Sequence, residues 1–143
     1  MSPKLSIVLA SHNARATIEL CLNALKAQGE EYAQRGEKIE VVIVDNSTDG
    51  TAQLLEQLLE QLQQQAFIDF HLVRRAASLL IPELWEIGIN ESQGDIVALT
   101  TAHCIPAADW IEQILKAHEK PHAGIGGAIE NAPDVGSVQW AIY

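Results

Sequence analysis

Two observations predict an α/β fold, specifically a three-layer α/β/α sandwich around a mainly parallel sheet. Short apolar, partly β-branched runs recur along the chain, and segments with helical apolar spacing separate them. Strands that alternate with helices at such intervals pair in parallel through right-handed crossovers, which lay helices on both faces of the sheet.

The elements follow in order. Leu5 to Ala10 is the first apolar run, and Ile39 to Val44, broken only by Glu40, is the second; both read as buried strands. Between them Ile18, Cys21, Leu22 and Leu25 fall at i, i+3, i+4 and i+7, which predicts a helix ending near Gly29. Gly50 and Thr51 open a second helix in which Leu54, Leu55, Leu58, Leu59 and Leu62 recur on one side. That pattern spans too few heptads for a coiled coil, so the leucines belong to the core. Phe70 to Val73 is a third strand. Pro82 favours a turn or a helix start, followed by a periodic stretch from Leu84 to Ser92 that stops at Gly94. Ile96 to Leu99 is a fourth strand. A loop through Pro106 then leads to a helix whose Trp110, Ile111, Ile114 and Leu115 share a face, and Gly124 to Ile129 is expected to supply a fifth strand.

The bulk properties fit this reading and narrow the partners. A chain of 143 residues supports one core and buries roughly two-thirds of its unfolded surface. A formal net charge of -10 without a segregated basic patch argues against nucleic acid and anionic membrane surfaces. A single nucleotide held by backbone groups remains open. Lys4 followed by Leu5 to Ala10 is too short for a signal-peptide core or a membrane span, so cytoplasmic residence is the default expectation. Cys21 and Cys104 show no metal-ligand or disulfide-framework spacing and read as buried free thiols.

In parallel sheets ligands bind beyond the carboxyl ends of the strands. Three loops satisfy that condition: Ser11 to Asn13, Asp45 to Thr51, and Thr100 to Pro106. Asp45 is the charge that ends the run Val41 to Val44, and a carboxylate there can accept hydrogen bonds from a base or a ribose. Asp45 to Asp49 also has the composition of a turn that caps the next helix, and the loop alone leaves both readings open.

The motifs taken together resemble a known family. Leu5 to Asn13 is similar to the opening strand and Tyr-Asn turn of family 2 glycosyltransferases. Val44-Asp45-Asn46-Ser47-Thr48-Asp49-Gly50-Thr51 resembles that family's Val-Asp-(Asp/Asn)-(Gly/Ser)-Ser-Thr-Asp-Gly-Thr signature, one residue shorter before Thr48. Gly88 to Val97 resembles its Ala/Gly-x-Asn-x-(small)-x-Gly-(Asp/Glu)-Ile segment, and Trp110 matches the aromatic after the metal loop. The resemblance implies the GT-A architecture and a nucleotide-sugar site formed by Ala10, Ser11, Asn13, Asp45, Asn46, Arg75 and Thr101. Arg74 or Arg75 is implied to neutralise diphosphate charge, since a guanidinium holds phosphate oxygens bidentately.

Two departures qualify what the resemblance implies. Relatives carry Asp-x-Asp after the fourth strand to hold Mn²⁺ or Mg²⁺, and the matching positions here read Thr101-Ala102-His103. Two carboxylates are gone. His103 is left as a single candidate metal ligand, a divalent cation becomes doubtful, and a metal-independent variant is one expectation. The second departure is length: relatives continue into an acceptor-binding part with an acidic general base, whereas here only Glu130 and Asp134 are late carboxylates in suggestive positions. The expectation is therefore one domain over residues 1–143 that lacks the acceptor part, with an exposed Trp140 to Tyr143 tail favouring homo-oligomers.

The expected function is binding of a nucleotide-diphospho-sugar donor and sugar transfer to an unknown acceptor. The alternative is a catalytically incomplete nucleotide-sugar-binding or regulatory module. A response-regulator receiver would need an acidic pair after the first strand and a late lysine, and Ser11 to Asn13 and Ala123 to Tyr143 supply neither. A Rossmann dehydrogenase would need glycines in the first β-α turn, which has none.

Overall fold

The computed structural model describes residues 2–65, 67–76 and 78–130. Four strands, β1 (Leu5–Ser11), β2 (Ile39–Asp45), β3 (Asp69–Arg74) and β4 (Ile96–Thr101), form one parallel sheet in the order β3-β2-β1-β4. Four helices, α1 (Ile18–Gln34), α2 (Thr51–Gln63), α3 (Ile81–Glu91) and α4 (Trp110–Ala117), cover it.

Every residue of β1 and β2 is buried, as continuous apolar runs in the middle of a parallel sheet require. Period-two alternation sends Leu5, Ile7, Leu9, Val41 and Ile43 into the core shared with α1, α2 and α4. Ala10, Val42 and Val44 face the other way and meet Leu84 of α3. Each fully buried Leu or Ile contributes ~1.5–3 kcal/mol relative to an exposed one, so this double-faced burial carries much of the stability.

The chain runs outward from β1 to β3 and then returns across the sheet through α3 to place β4 on the other side of β1. The strand order thus reverses at β1. A reversal opens a crevice at the carboxyl ends, because the two flanking connections leave in opposite directions.

Two expectations change, and a third falls outside the described residues. The first helix does not stop at Gly29 but runs on to Gln34. A Cβ on Gly29 would lie 2.3 Å from the Ile68 side chain, so this glycine permits close packing rather than ending the helix. The expected strand Gly124 to Ile129 is an exposed segment with no strand or helix assignment. Gly124, Gly126 and Gly127 give it little side-chain surface to pack and a high ordering cost. Asp134 and the Trp140 to Tyr143 tail, on which self-association rested, lie outside the described residues.

Two polar groups buried in the body are structural. Glu40, which interrupts the second apolar run, accepts hydrogen bonds from the Ser6 hydroxyl and, at 2.6 Å, from the Gln93 amide. It thereby ties the α3–β4 turn to the sheet at the end opposite the loops of interest. Gln28 of α1 donates to the Ala107 carbonyl at 2.8 Å and accepts from the Ile111 amide at 2.8 Å, fixing the start of α4. Cys21 is a buried free thiol, and burial pushes its pKa up to about 12. No helix among the described residues is long and apolar enough to cross a membrane.

Candidate functional site

Parallel registry dictates which loops meet. Ser11 pairs with Asp45, Ala10 with Thr101, and Asp45 with Arg74, so the turns that follow all leave from one rim. The backbone closes them together: the Asn46 amide donates to the Ser11 carbonyl at 3.1 Å, the Ala102 amide to the Ala10 carbonyl at 2.9 Å, and the Arg75 amide to the Asp45 carbonyl at 2.9 Å.

Side chains then stitch the first turn to the second. Asn13 occupies a left-handed conformation with φ of 50°, which Asn tolerates better than most residues. Its amide donates to Ser47 Oγ at 2.8 Å, and its Oδ1 accepts from the Thr48 amide at 2.8 Å. Asp45 is only 2% exposed. Its carboxylate accepts from Ser47 Oγ at 2.6 Å and from the Ser47 amide at 3.2 Å, so Asp45 makes the turn expected of this loop, while Gly50 at the start of α2 gives the helix no side-chain cap. Asp49 accepts from the Thr51 amide at 3.1 Å and from the Thr51 hydroxyl. The hydroxyl bond is the main cause that holds the Asp49 carboxyl below its ordinary pKa.

The Asn46 side chain shows how orientation propagates. Its Nδ2 donates to the Leu79 carbonyl at 3.0 Å, which aims its Oδ1 at His12 Nδ1, 2.8 Å away. Since an amide oxygen only accepts, His12 carries its proton on Nδ1. His103 reaches across from the third turn, with Nε2 2.9 Å from the His12 carbonyl. Thr17 Oγ1 donates to the Ala102 carbonyl at 2.7 Å and fastens that turn to the start of α1.

The expected site residues therefore divide. Asn13, Asp45, Asn46, Thr101 and His103 stand together at the rim. Ala10 and Ser11 are fully buried and contribute carbonyls that are already bonded to the neighbouring turns. Ser11 Oγ has no hydrogen-bond partner among the described residues. Arg75 is exposed at the same edge, with Nη1 donating to the Arg74 carbonyl at 3.0 Å. Arg74 turns away to pair with Glu56 of α2 at 2.8 Å. Sequence reasoning missed His12, Thr17 and the carbonyl of Leu79. None of these stands out by residue type, and their roles arise only from the crossing of segments distant in sequence.

A divalent cation fits this rim poorly. Thr101 Oγ1 points at Cys104 Sγ, 3.5 Å away, and Ala102 has no ligating side chain. His103 already uses Nε2. Among the described residues no group of three His, Cys, Asp or Glu side chains gathers where a metal ion could sit.

The family profile described as "Glycosyl transferase family 2" matches residues 6–142. The chain belongs to glycosyl transferase family 2. A curated relative, Glycosyltransferase AglE of Haloferax volcanii, is 31% identical over 122 residues, covering 78% of this chain and 34% of that protein. Among solved structures, the mannosyltransferase PcManGT of Pyrobaculum calidifontis, in complex with GDP-Man and Mn²⁺, superposes with a TM-score of 0.67 at 22% identity, over 85% of this chain and 34% of that one. TarS of S. aureus superposes with a TM-score of 0.64 at 19% identity, over 81% of this chain and 19% of that one. At these identities the two structures show that the fold is shared. The chain spans about a third of the length of AglE and PcManGT. Within this family 2 domain, the turn at Asp45 is acidic and hydroxyl-rich, and the turn at Thr101 to His103 carries no carboxylate.

Proposed function

We propose that this family 2 domain holds the nucleoside diphosphate of an activated sugar at the rim where the turns after β1, β2 and β4 meet. The single observation that carries the reading is their cross-linking by Asn13, Asn46 and His103, at the strand-order reversal where parallel sheets take ligands. Asn13 and the 46–48 turn, bonded to one another through their amides and hydroxyls, form a preset wall against which the nucleoside lies. Asp45 acts from below by holding Ser47 in place. Arg75, exposed at the edge beside Asp45, is the guanidinium that meets phosphate charge; Arg74 is occupied by Glu56.

In the transfer itself an acceptor oxygen attacks the anomeric carbon and the nucleoside diphosphate departs, its developing charge stabilised by donors already in position. The attacking acceptor hydroxyl gives up its proton to a general base. Glu130, the described late carboxylate, sits in an exposed segment without secondary structure. Loss of the carboxylates at Thr101 and His103 favours a second reading, a domain that binds donor without turning it over.

The test is a thermal-shift series with UDP, GDP, CDP and dTDP, with GDP foremost because PcManGT binds GDP-Man. A ligand at about 100 times its Kd stabilises the native state by ~2.7 kcal/mol, which raises the melting temperature of a domain this size by roughly 5–10 °C. One of the four should do so. Release of free nucleotide from the matching sugar donor by the purified chain separates transfer or hydrolysis from binding alone, and no shift with any of the four contradicts the proposal.

A further inference from the structure

We infer that this domain takes its nucleotide donor without a divalent cation, the His103 ring N–H meeting the diphosphate in the place a metal would fill. This rests on the donor-site reading above and specifies how that site handles phosphate charge.

The three positions from Thr101, the last residue of β4, to His103 are each committed in a way that leaves no ligand set. Thr101 offers a hydroxyl that is directed to Cys104 Sγ. Ala102 is fully buried, and its carbonyl accepts from Thr17 Oγ1 at 2.7 Å. His103 Nε2 lies 2.9 Å from the His12 carbonyl, and because a carbonyl only accepts, that nitrogen bears the proton. One lone pair, on Nδ1, is what His103 could give a metal. Mg²⁺ and Mn²⁺ favour about six ligands, mostly oxygens, and a protein site for Mg²⁺ usually supplies one or two carboxylates beside substrate phosphates and water.

Nor do neighbouring carboxylates make up the deficit. Both oxygens of Asp45 are bonded to Ser47, and Asp49 is bonded to Thr51. Asp109 accepts from Gln113 Nε2 at 3.1 Å at the start of α4. No cluster of three ligating side chains occurs among the described residues.

What the turn does offer is a donor. In the neutral imidazole the Nε2–H of His103 can exchange the His12 carbonyl for a phosphate oxygen, which is the stronger acceptor because it carries charge. The exchange needs no change of tautomer. His103 is exposed, so the ring can reach a ligand lying over the crevice between β1 and β4.

The experiment is nucleotide titration of the full chain by calorimetry, with the four nucleoside diphosphates in EDTA and in Mn²⁺. Metal independence predicts the same Kd in both. His103→Ala should weaken binding in EDTA roughly tenfold, as removal of a hydrogen bond to a charged group does, and His103→Gln, which keeps an N–H, should recover most of the loss. The double variant T101D/H103D should acquire a Mn²⁺ requirement. Binding by the unmodified chain that appears with Mn²⁺ and vanishes in EDTA overturns this inference and leaves the donor site standing. Binding by none of the nucleotides in either condition overturns the donor site itself. Equal affinity of the Ala and Gln variants and the parent overturns the role of the N–H, and the comparison of the unmodified chain in EDTA and in Mn²⁺ stands even if the variants fail to fold.

Discussion

The central strands and the flanking strand β4 are built to different standards. In β1 and β2 all fourteen positions are buried, seven in each strand, and the turns that follow them are locked to each other by Asn13, Asn46, Ser47 and Thr48. In β4 no residue is fully buried, with Val97 38% and Leu99 43% exposed, and its turn is held to the rest through Ala102 and His103. Burial is thus concentrated in the two central strands, and the turn at the end of β4 rests on an edge strand that is partly exposed. The same division appears in the sequence: Asp45 to Thr51 is rich in carboxylates and hydroxyls, and Thr101 to His103 carries no carboxylate.

The contrast can be broken most directly by truncation. Ile43→Ala in β2 should cost ~2–5 kcal/mol, because a buried side chain is lost and a cavity is left. Leu99→Ala on the open face of β4 should cost ~1 kcal/mol or less. Urea unfolding of both variants checks this, and equal losses would abolish the distinction. Gly88→Ala follows in size. An added Cβ would stand 2.2 Å from Val8 Cγ1 and 3.3 Å from Val44 Cγ2, so α3 must shift off the central strands at a cost of ~1–3 kcal/mol.

Asn13 ties the first turn to the second at the rim. Asn13→Ala loses the bonds to Thr48 and leaves a Cβ residue at φ of 50°, for a combined loss of ~1–3 kcal/mol. Asn13→Gly relieves the backbone and should lose less, while both weaken nucleotide binding alike. The smallest effect is at Asp49. Its carboxyl is held below the ordinary value, chiefly by the Thr51 hydroxyl, so its contribution is present above the unfolded-state pKa and is lost as the pH falls through the folded one. Comparing melting temperatures from pH 6 down to about 3, the parent should lose slightly more than Asp49→Asn, by an amount that solvent screening keeps small.

Much of this arrangement was legible in the sequence, for identifiable reasons. Apolar runs long enough to cross a buried sheet announced β1, β2 and β4, and the leucine spacing announced α2. The rim followed from topology, because strands in parallel order must end on one side. Gly29 was misread because a glycine at a helix end and a glycine under a packed isoleucine look alike in one dimension. Glu40 looked like an interruption, and only the fold brings Ser6 and Gln93 to it. The same limit hid His12 and Thr17, whose partners lie 34 and 85 residues away. Arg74 and Arg75 could not be told apart until Glu56 was seen beside one of them.

The convergence of three turns into one donor cradle is the central claim, and amide chemical-shift mapping of the ¹⁵N-labelled chain during GDP or UDP titration tests it most directly. The saturating shifts should gather on residues 12–13, 46–48 and 102–104, with Arg75 beside them. Shifts confined to the concavity of about 620 Å³ that Gln113, Lys116, Lys120 and His122 line beside α4, with the three turns unmoved, would contradict it.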